Sequence, residues 1–154
     1  MSRRQARELA LQVLFQVDVG RSDPETAFFQ ALAREREEQE GPSKLKEKDV
    51  NYARDLVLGT WERREKLDEI IARYAKDWAV ERMAAVDRNI LRMAIYEIKH
   101  QEDVPDGAVA DEAVELAKTY STPEAGKFIN GILGSVIRGL EQGASRADAD
   151  PTGE

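Results

Sequence analysis

Cysteine is absent from this chain of 154 residues, and histidine occurs once. The first absence excludes disulfides, thiolate nucleophiles, zinc ribbons and iron–sulfur clusters, and it fits a reducing cytoplasm. The second leaves His100 as the sole base for a Ser–His–Asp arrangement, and neither a Gly-x-Ser-x-Gly elbow nor a phosphate-cradling glycine loop accompanies it. Glu97 and His100 stand three apart, the spacing of ligands in carboxylate di-iron bundles, but such bundles need two of these pairs. No metal or other cofactor is therefore expected. Apolar runs long enough to span a membrane are missing too. The opening MSRRQARELALQVLFQ places basic residues ahead of apolar ones, yet Gln5, Glu8 and Gln12 interrupt it and no small-residue cleavage site follows, which argues against a secretory signal. Strand-like alternation is scarce, and no Asn-Gly turn joins two alternating runs.

What is abundant favours helix: 20 alanines, 18 glutamates and apolar residues recurring at three-and-four spacing. The expected fold is all-α, with about seven helices. The first runs roughly from Arg4 to Asp18, with Ala6, Leu9, Ala10, Val13, Leu14 and Val17 on one face and Gly20 just beyond its end. Asp23 before Pro24 reads as a cap followed by the one helical position where proline fits, opening a second helix from Glu25 to about Gln39. After the turn at Gly41-Pro42-Ser43, a long segment from Lys46 to Asp77 is helical, with a kink expected at Gly59-Thr60. A short turn, Val80 to Ala84, leads to a helix from Val86 to about His100. Val104-Pro105-Asp106-Gly107 breaks the chain before a helix from Val109 to Tyr120. Thr122, Pro123 and Glu124 give three agreeing start signals for the last helix, which ends near Leu140. The expected organisation is one helical domain over residues 1–142, with subdomains of about 1–78 and 79–142. The polar tail, 143–154, is expected to be disordered.

The net charge of −7 suggests at first that nucleic acid is not a partner. Its distribution says otherwise. Residues 1–21 hold Arg3, Arg4, Arg7 and Arg21 against Glu8 and Asp18, and residues 118–140 hold Lys118, Lys127 and Arg138 against Glu124, so each segment nets +2 and the remainder −11. Two basic segments in an acidic chain can hold phosphates through counterion release, although N-terminal arginines are also ordinary solvated residues. Lys118-Thr119-Tyr120 and Lys127-Phe128-Ile129-Asn130-Gly131 add aromatic and amide groups, the types that stack on and hydrogen-bond single-stranded RNA. Phe128 fits equally well in that helix's core stripe, and Gly131 fits a close helix crossing.

Three long blocks carry a resemblance: RRQARELALQVLFQ, VDRNILRMAIYEI followed by VP, and ADEAVELAKTYSTPEAGKFINGIL. In order and spacing they resemble the NusB family of transcription antitermination factors, from about Arg3 to Ile137. The resemblance implies an all-helical fold of two small subdomains without catalysis. It implies binding of the single-stranded boxA element of ribosomal RNA leaders together with NusE, a small-subunit ribosomal protein, and assembly with other antitermination factors and RNA polymerase. Carried over by motif position, Arg3, Arg4 and Arg7 would grip the RNA backbone, and Glu124, Lys127, Phe128 and Asn130, with Lys118 and Tyr120 nearby, would lie along the RNA. Phe15, where tyrosine is usual, and Asp87 would meet NusE. Glu124 stands where aspartate is common and is one methylene longer. Arg92, Tyr96 and Glu97 are expected to serve the fold, with Arg92 paired to Glu112. The alternative is a helical protein–protein adaptor without RNA affinity. A methyltransferase fused to such a domain would need a cofactor-binding domain and the cysteine its chemistry uses. A homodimer is compatible with the sequence.

Overall fold

The computed structural model describes residues 2–39, 46–76 and 78–141. Among them are seven α-helices and one 3-10 turn, with no strand. The turn at Gly41-Pro42-Ser43 and the tail from 143 lie outside the described residues. The chain divides into two compact units, the first ending at Glu62 and the second beginning at Arg63.

The first unit holds α1 (Ser2–Gly20), α2 (Pro24–Glu38) and α3 (Glu47–Glu62), with α1 packed against both others. The expected stripe of α1, from Ala6 to Val17, is buried, and each large apolar side chain so removed from water contributes about 1.5–3 kcal/mol. Gly20 is not the left-handed residue that ends α1. That role falls to Arg21, with φ of 55°. Asp23 caps α2 as expected: its Oδ2 accepts from the Thr26 backbone N–H and hydroxyl, both at 3.0 Å. These two bonds, the backbone one first, hold the Asp23 carboxyl below its ordinary range. The kink expected at Gly59-Thr60 falls instead at Arg63, between α3 and α4. Gly59 and Thr60 are buried within an unbroken helix, so their small size serves packing rather than bending.

The second unit holds α4 (Arg64–Tyr74), the 3-10 turn Val80–Arg82, α5 (Ala85–His100), α6 (Asp106–Tyr120) and α7 (Pro123–Glu141). The unit boundary precedes the expected one near residue 78 because α4 packs on α5 and α7. Every residue from Asn89 to Lys99 is buried, which makes α5 the unit's central element and obliges its polar side chains to find partners. Arg92 donates to Asp68 through Nε and Nη2, each at 2.7 Å, and through Nη1 to Asn89 Oδ1 at 3.2 Å. Asn89 Nδ2 in turn donates to the Ala85 carbonyl at 2.8 Å. The carboxylate gripped by the Nε–Nη2 fork of Arg92 is that of Asp68. Pro105 takes the extended position that precedes a helix, so α6 starts at Asp106, earlier than Val109. Thr122 caps α7, its hydroxyl accepting from Ala125 N–H at 3.0 Å. At the far end of α7 a Cβ on Gly139 would stand 2.5 Å from the Tyr74 hydroxyl, so a larger residue there would require the Tyr74 side chain to move.

Candidate nucleic-acid interface

In the first unit the three arginines of α1 differ in surroundings. The Arg3 guanidinium lies over the Tyr52 ring, 3.9 Å from its centroid, a cation–π contact that joins α1 to α3 and leaves the residue partly exposed. Arg4 is exposed. Arg7 was expected at the RNA surface with them, but it is 6% exposed. Helical spacing explains the burial: next to Ala6, position 7 rotates onto the face that also carries Ala10 and Leu14. Phe15 is 40% exposed, and Val19, one turn later on the same face, is more so.

The second unit brings its candidate residues to two places. Lys118 on α6 and Lys127 and Asn130 on α7 line an open groove with Asp111, Glu115 and Gly126. Lys118 Nζ sits 3.7 Å from Glu115 Oε1 in an exposed i,i+3 pair, which is weak enough to be exchanged for a phosphate. The close approach of α6 and α7 is at Gly126, whose Cβ would meet Val114 and Lys118 side-chain atoms at 3.6 and 3.7 Å. Gly131, read from sequence as a place of helix crossing, has open space where a Cβ would stand. Tyr120 is exposed at the end of α6.

The other place is a cavity of about 240 Å³ lined by Trp78, Arg82, Met83, Asp87, Glu124 and Phe128, among others. Phe128 is partly buried, and it meets the Trp78 ring edge-to-face with centroids 5.9 Å apart. Trp78 itself is 58% exposed. Arg88, on the first turn of α5, donates to the carbonyls of Val80 and Met83 at 3.4 and 3.2 Å, and so fixes the wall formed by the 3-10 turn. Thus Asp87, Glu124 and Phe128, drawn from two sequence blocks, share one pocket. Trp78 and Arg82 were not anticipated. The available signal was an aromatic that belongs to no helical stripe, in a link that the sequence leaves between helices.

Among the described residues no group of three His, Cys, Asp or Glu side chains is placed to hold a metal, and no helix is long and apolar enough to cross a membrane. His100 instead lies against Tyr96, with ring centroids 4.8 Å apart, and Glu97 is buried.

The model of the NusB family matches residues 4–138. The transcription antitermination protein NusB of Symbiobacterium thermophilum is 61% identical over 148 residues, covering 96% of each chain. Of solved structures, T. maritima NusB superposes with a TM-score of 0.77 at 34% identity, covering 88% of this chain and 90% of that one. A crystal structure of antitermination factors NusB and NusE in complex with dsRNA gives a TM-score of 0.76 at 27% identity, covering 90% and 97%. On this match of sequence and fold the chain belongs to the NusB family and is a transcription antitermination factor, not an enzyme.

Proposed function

We propose that this protein binds the single-stranded boxA element of ribosomal RNA leader transcripts together with NusE, and that it acts in the cytoplasm by assembly with other antitermination factors onto RNA polymerase. The observation that carries the reading is the α6–α7 groove lined by Lys118, Lys127 and Asn130, with Tyr120 exposed at the end of α6 and Phe128 partly exposed in the Trp78 cavity. Cations along a groove neutralise phosphates, while rings and amides beside it serve unstacked bases. Glu124 accepts from base amino groups, and Arg3 and Arg4 of α1 add phosphate contacts. For the protein partner, Phe15 and Val19 supply exposed apolar surface and Asp87 supplies negative charge toward a basic ribosomal protein. The related structure that holds NusB, NusE and RNA together supports both partners. Its RNA is double-stranded; exposed stacking residues favour a single strand here.

Fluorescence anisotropy with labelled boxA, a scrambled strand and a duplex, each with and without NusE, tests the reading. Expected is tightest binding to boxA, weakened by salt and strengthened about tenfold by NusE. Equal affinity for all three RNAs, unchanged by NusE, would overturn it. NusE binding with no RNA affinity at low salt would favour the adaptor reading, which the exposed Phe15 and Val19 pair would then explain.

A further inference from the structure

We infer that Tyr52 is a positioning residue for RNA binding: its ring holds the face of the Arg3 guanidinium and so presents the guanidinium edge to a phosphate of the strand. This inference rests on the RNA-binding reading above and deepens it. Tyr52 belongs to α3, outside the three sequence blocks. Three observations converge. The Arg3 guanidinium carbon stands 3.9 Å from the centroid of the Tyr52 ring, well inside the roughly 6 Å over which a ring face attracts a cation. The ring is anchored: Tyr52 is half-buried, and Asp49 and Leu56, one turn before and after it on α3, are buried. Among the described residues the Arg3 guanidinium makes no hydrogen bond or ion pair, so the ring is its one partner there.

A planar guanidinium divides its interactions between face and edge. Stacking occupies the face, whereas the five N–H donors lie in the plane and point outward from its rim. Arg3 stacked on Tyr52 therefore keeps a fork of donors for two oxygens of one phosphate. Arg7, on the same helix, is too buried to reach a strand. An arginine that swings freely must be immobilised when it binds, at a cost in rotamer freedom, and a guanidinium already held by a ring has given up part of that freedom beforehand. Lysine would not serve in the same way, because an ammonium has neither a plane to stack nor a fork to present. A carboxylate of a protein could take the same edge. The protein partner argued above is basic, so the acidic strand is the occupant that the charges favour.

The test is a double-mutant cycle on the full chain without NusE, read by anisotropy with labelled boxA over a series of salt concentrations. Tyr52→Leu, which keeps apolar bulk but removes the ring, should weaken binding about threefold, while Tyr52→Phe, which keeps the ring, should bind as the unsubstituted chain does. Arg3→Ala should flatten the slope of log affinity against log salt by about 0.7, one phosphate contact on a single strand, and in that background Tyr52→Leu should change nothing further. Arg3→Lys, which keeps the charge, should also lose about threefold. An equal loss from Tyr52→Leu with and without the Arg3 side chain would overturn the inference and make Tyr52 a structural residue. A loss from Tyr52→Phe as large as that from Tyr52→Leu would overturn it too, because the hydroxyl and not the ring would then matter. Should Tyr52→Leu fail to fold, Arg3→Lys decides: a threefold loss supports the stacked fork, and unchanged affinity overturns it. Unchanged affinity in Arg3→Ala, beside weakened binding in Lys118→Ala/Lys127→Ala, would overturn the inference while leaving the RNA-binding reading intact. Absence of boxA binding by the unsubstituted chain at low salt would overturn both.

Discussion

In the unit of α1–α3, cationic side chains differ: Arg4 is exposed and Arg54 of α3 forms an exposed pair with Glu25 of α2, whereas Arg3 rests on Tyr52 and Arg7 is buried. In the unit of α4–α7 the division is sharper. Arg92, 6% exposed, is committed through Nε and Nη2 to Asp68 and through Nη1 to Asn89, whereas Lys118 and Lys127 line an open groove. Segment charge treats all these residues alike. The comparison shows that what matters is how much desolvation each cation has already undergone: a buried guanidinium must keep its partner, while an exposed ammonium can exchange water or a weak ion pair for phosphate.

Substitutions can break this contrast, and the largest effect should come from Asp68→Ala. It leaves the Arg92 guanidinium buried and deprived of its carboxylate, at a cost of about 3 kcal/mol in a denaturant melt. Next, Arg7→Ala should lower stability by about 2 kcal/mol through lost packing and pairing, while Arg4→Ala leaves the melt unchanged and weakens RNA binding. Equal effects of the two would erase the distinction drawn within α1. The double substitution Lys118→Ala/Lys127→Ala should leave the melting temperature in place. It should flatten the slope of log affinity against log salt by about 1.4, the contribution of two phosphate contacts on a single strand. Thr122→Ala should cost about 1 kcal/mol by removing the α7 cap.

The smallest effect concerns Asp23. Its carboxyl is held below the ordinary aspartate value of 3.8, so the stability it adds is present above that value and is lost as pH falls through the depressed one. Asp23→Asn keeps a capping acceptor but removes the titration. Acid unfolding followed by circular dichroism should therefore show a slightly shallower loss for the variant between pH 4 and the folded carboxyl's own value.

Helix periodicity made most of the fold legible, because the stripe from Ala6 to Val17 and the caps Asp23 and Thr122 are local signals. Long-range choices were not. Arg92 finds Asp68 on another helix of its unit, and no spacing rule singles that carboxylate out. Small residues were ambiguous in the same way: Gly59 packs inside a helix where a bend was expected, and Gly131 faces open space where a crossing was expected. At the candidate site, residue types in the third block drew attention to Lys118, Lys127, Phe128 and Asn130. Trp78 escaped notice because its importance comes from the 3-10 turn and Arg88 that set it against Phe128, a tertiary arrangement.

The proposed RNA path runs along the C-terminal end of α6 and the first half of α7. Photocrosslinking of a boxA strand carrying 4-thiouridine, followed by trypsin digestion and mass spectrometry, tests it most directly. Cleavage after Lys118, Lys127 and Arg138 yields two peptides, 119–127 and 128–138, that hold Tyr120 and Phe128 respectively. Crosslinks are expected in both, lost in excess unlabelled boxA but not in excess scrambled RNA. Crosslinks confined to α2 and α3, with neither of these peptides modified, would contradict it.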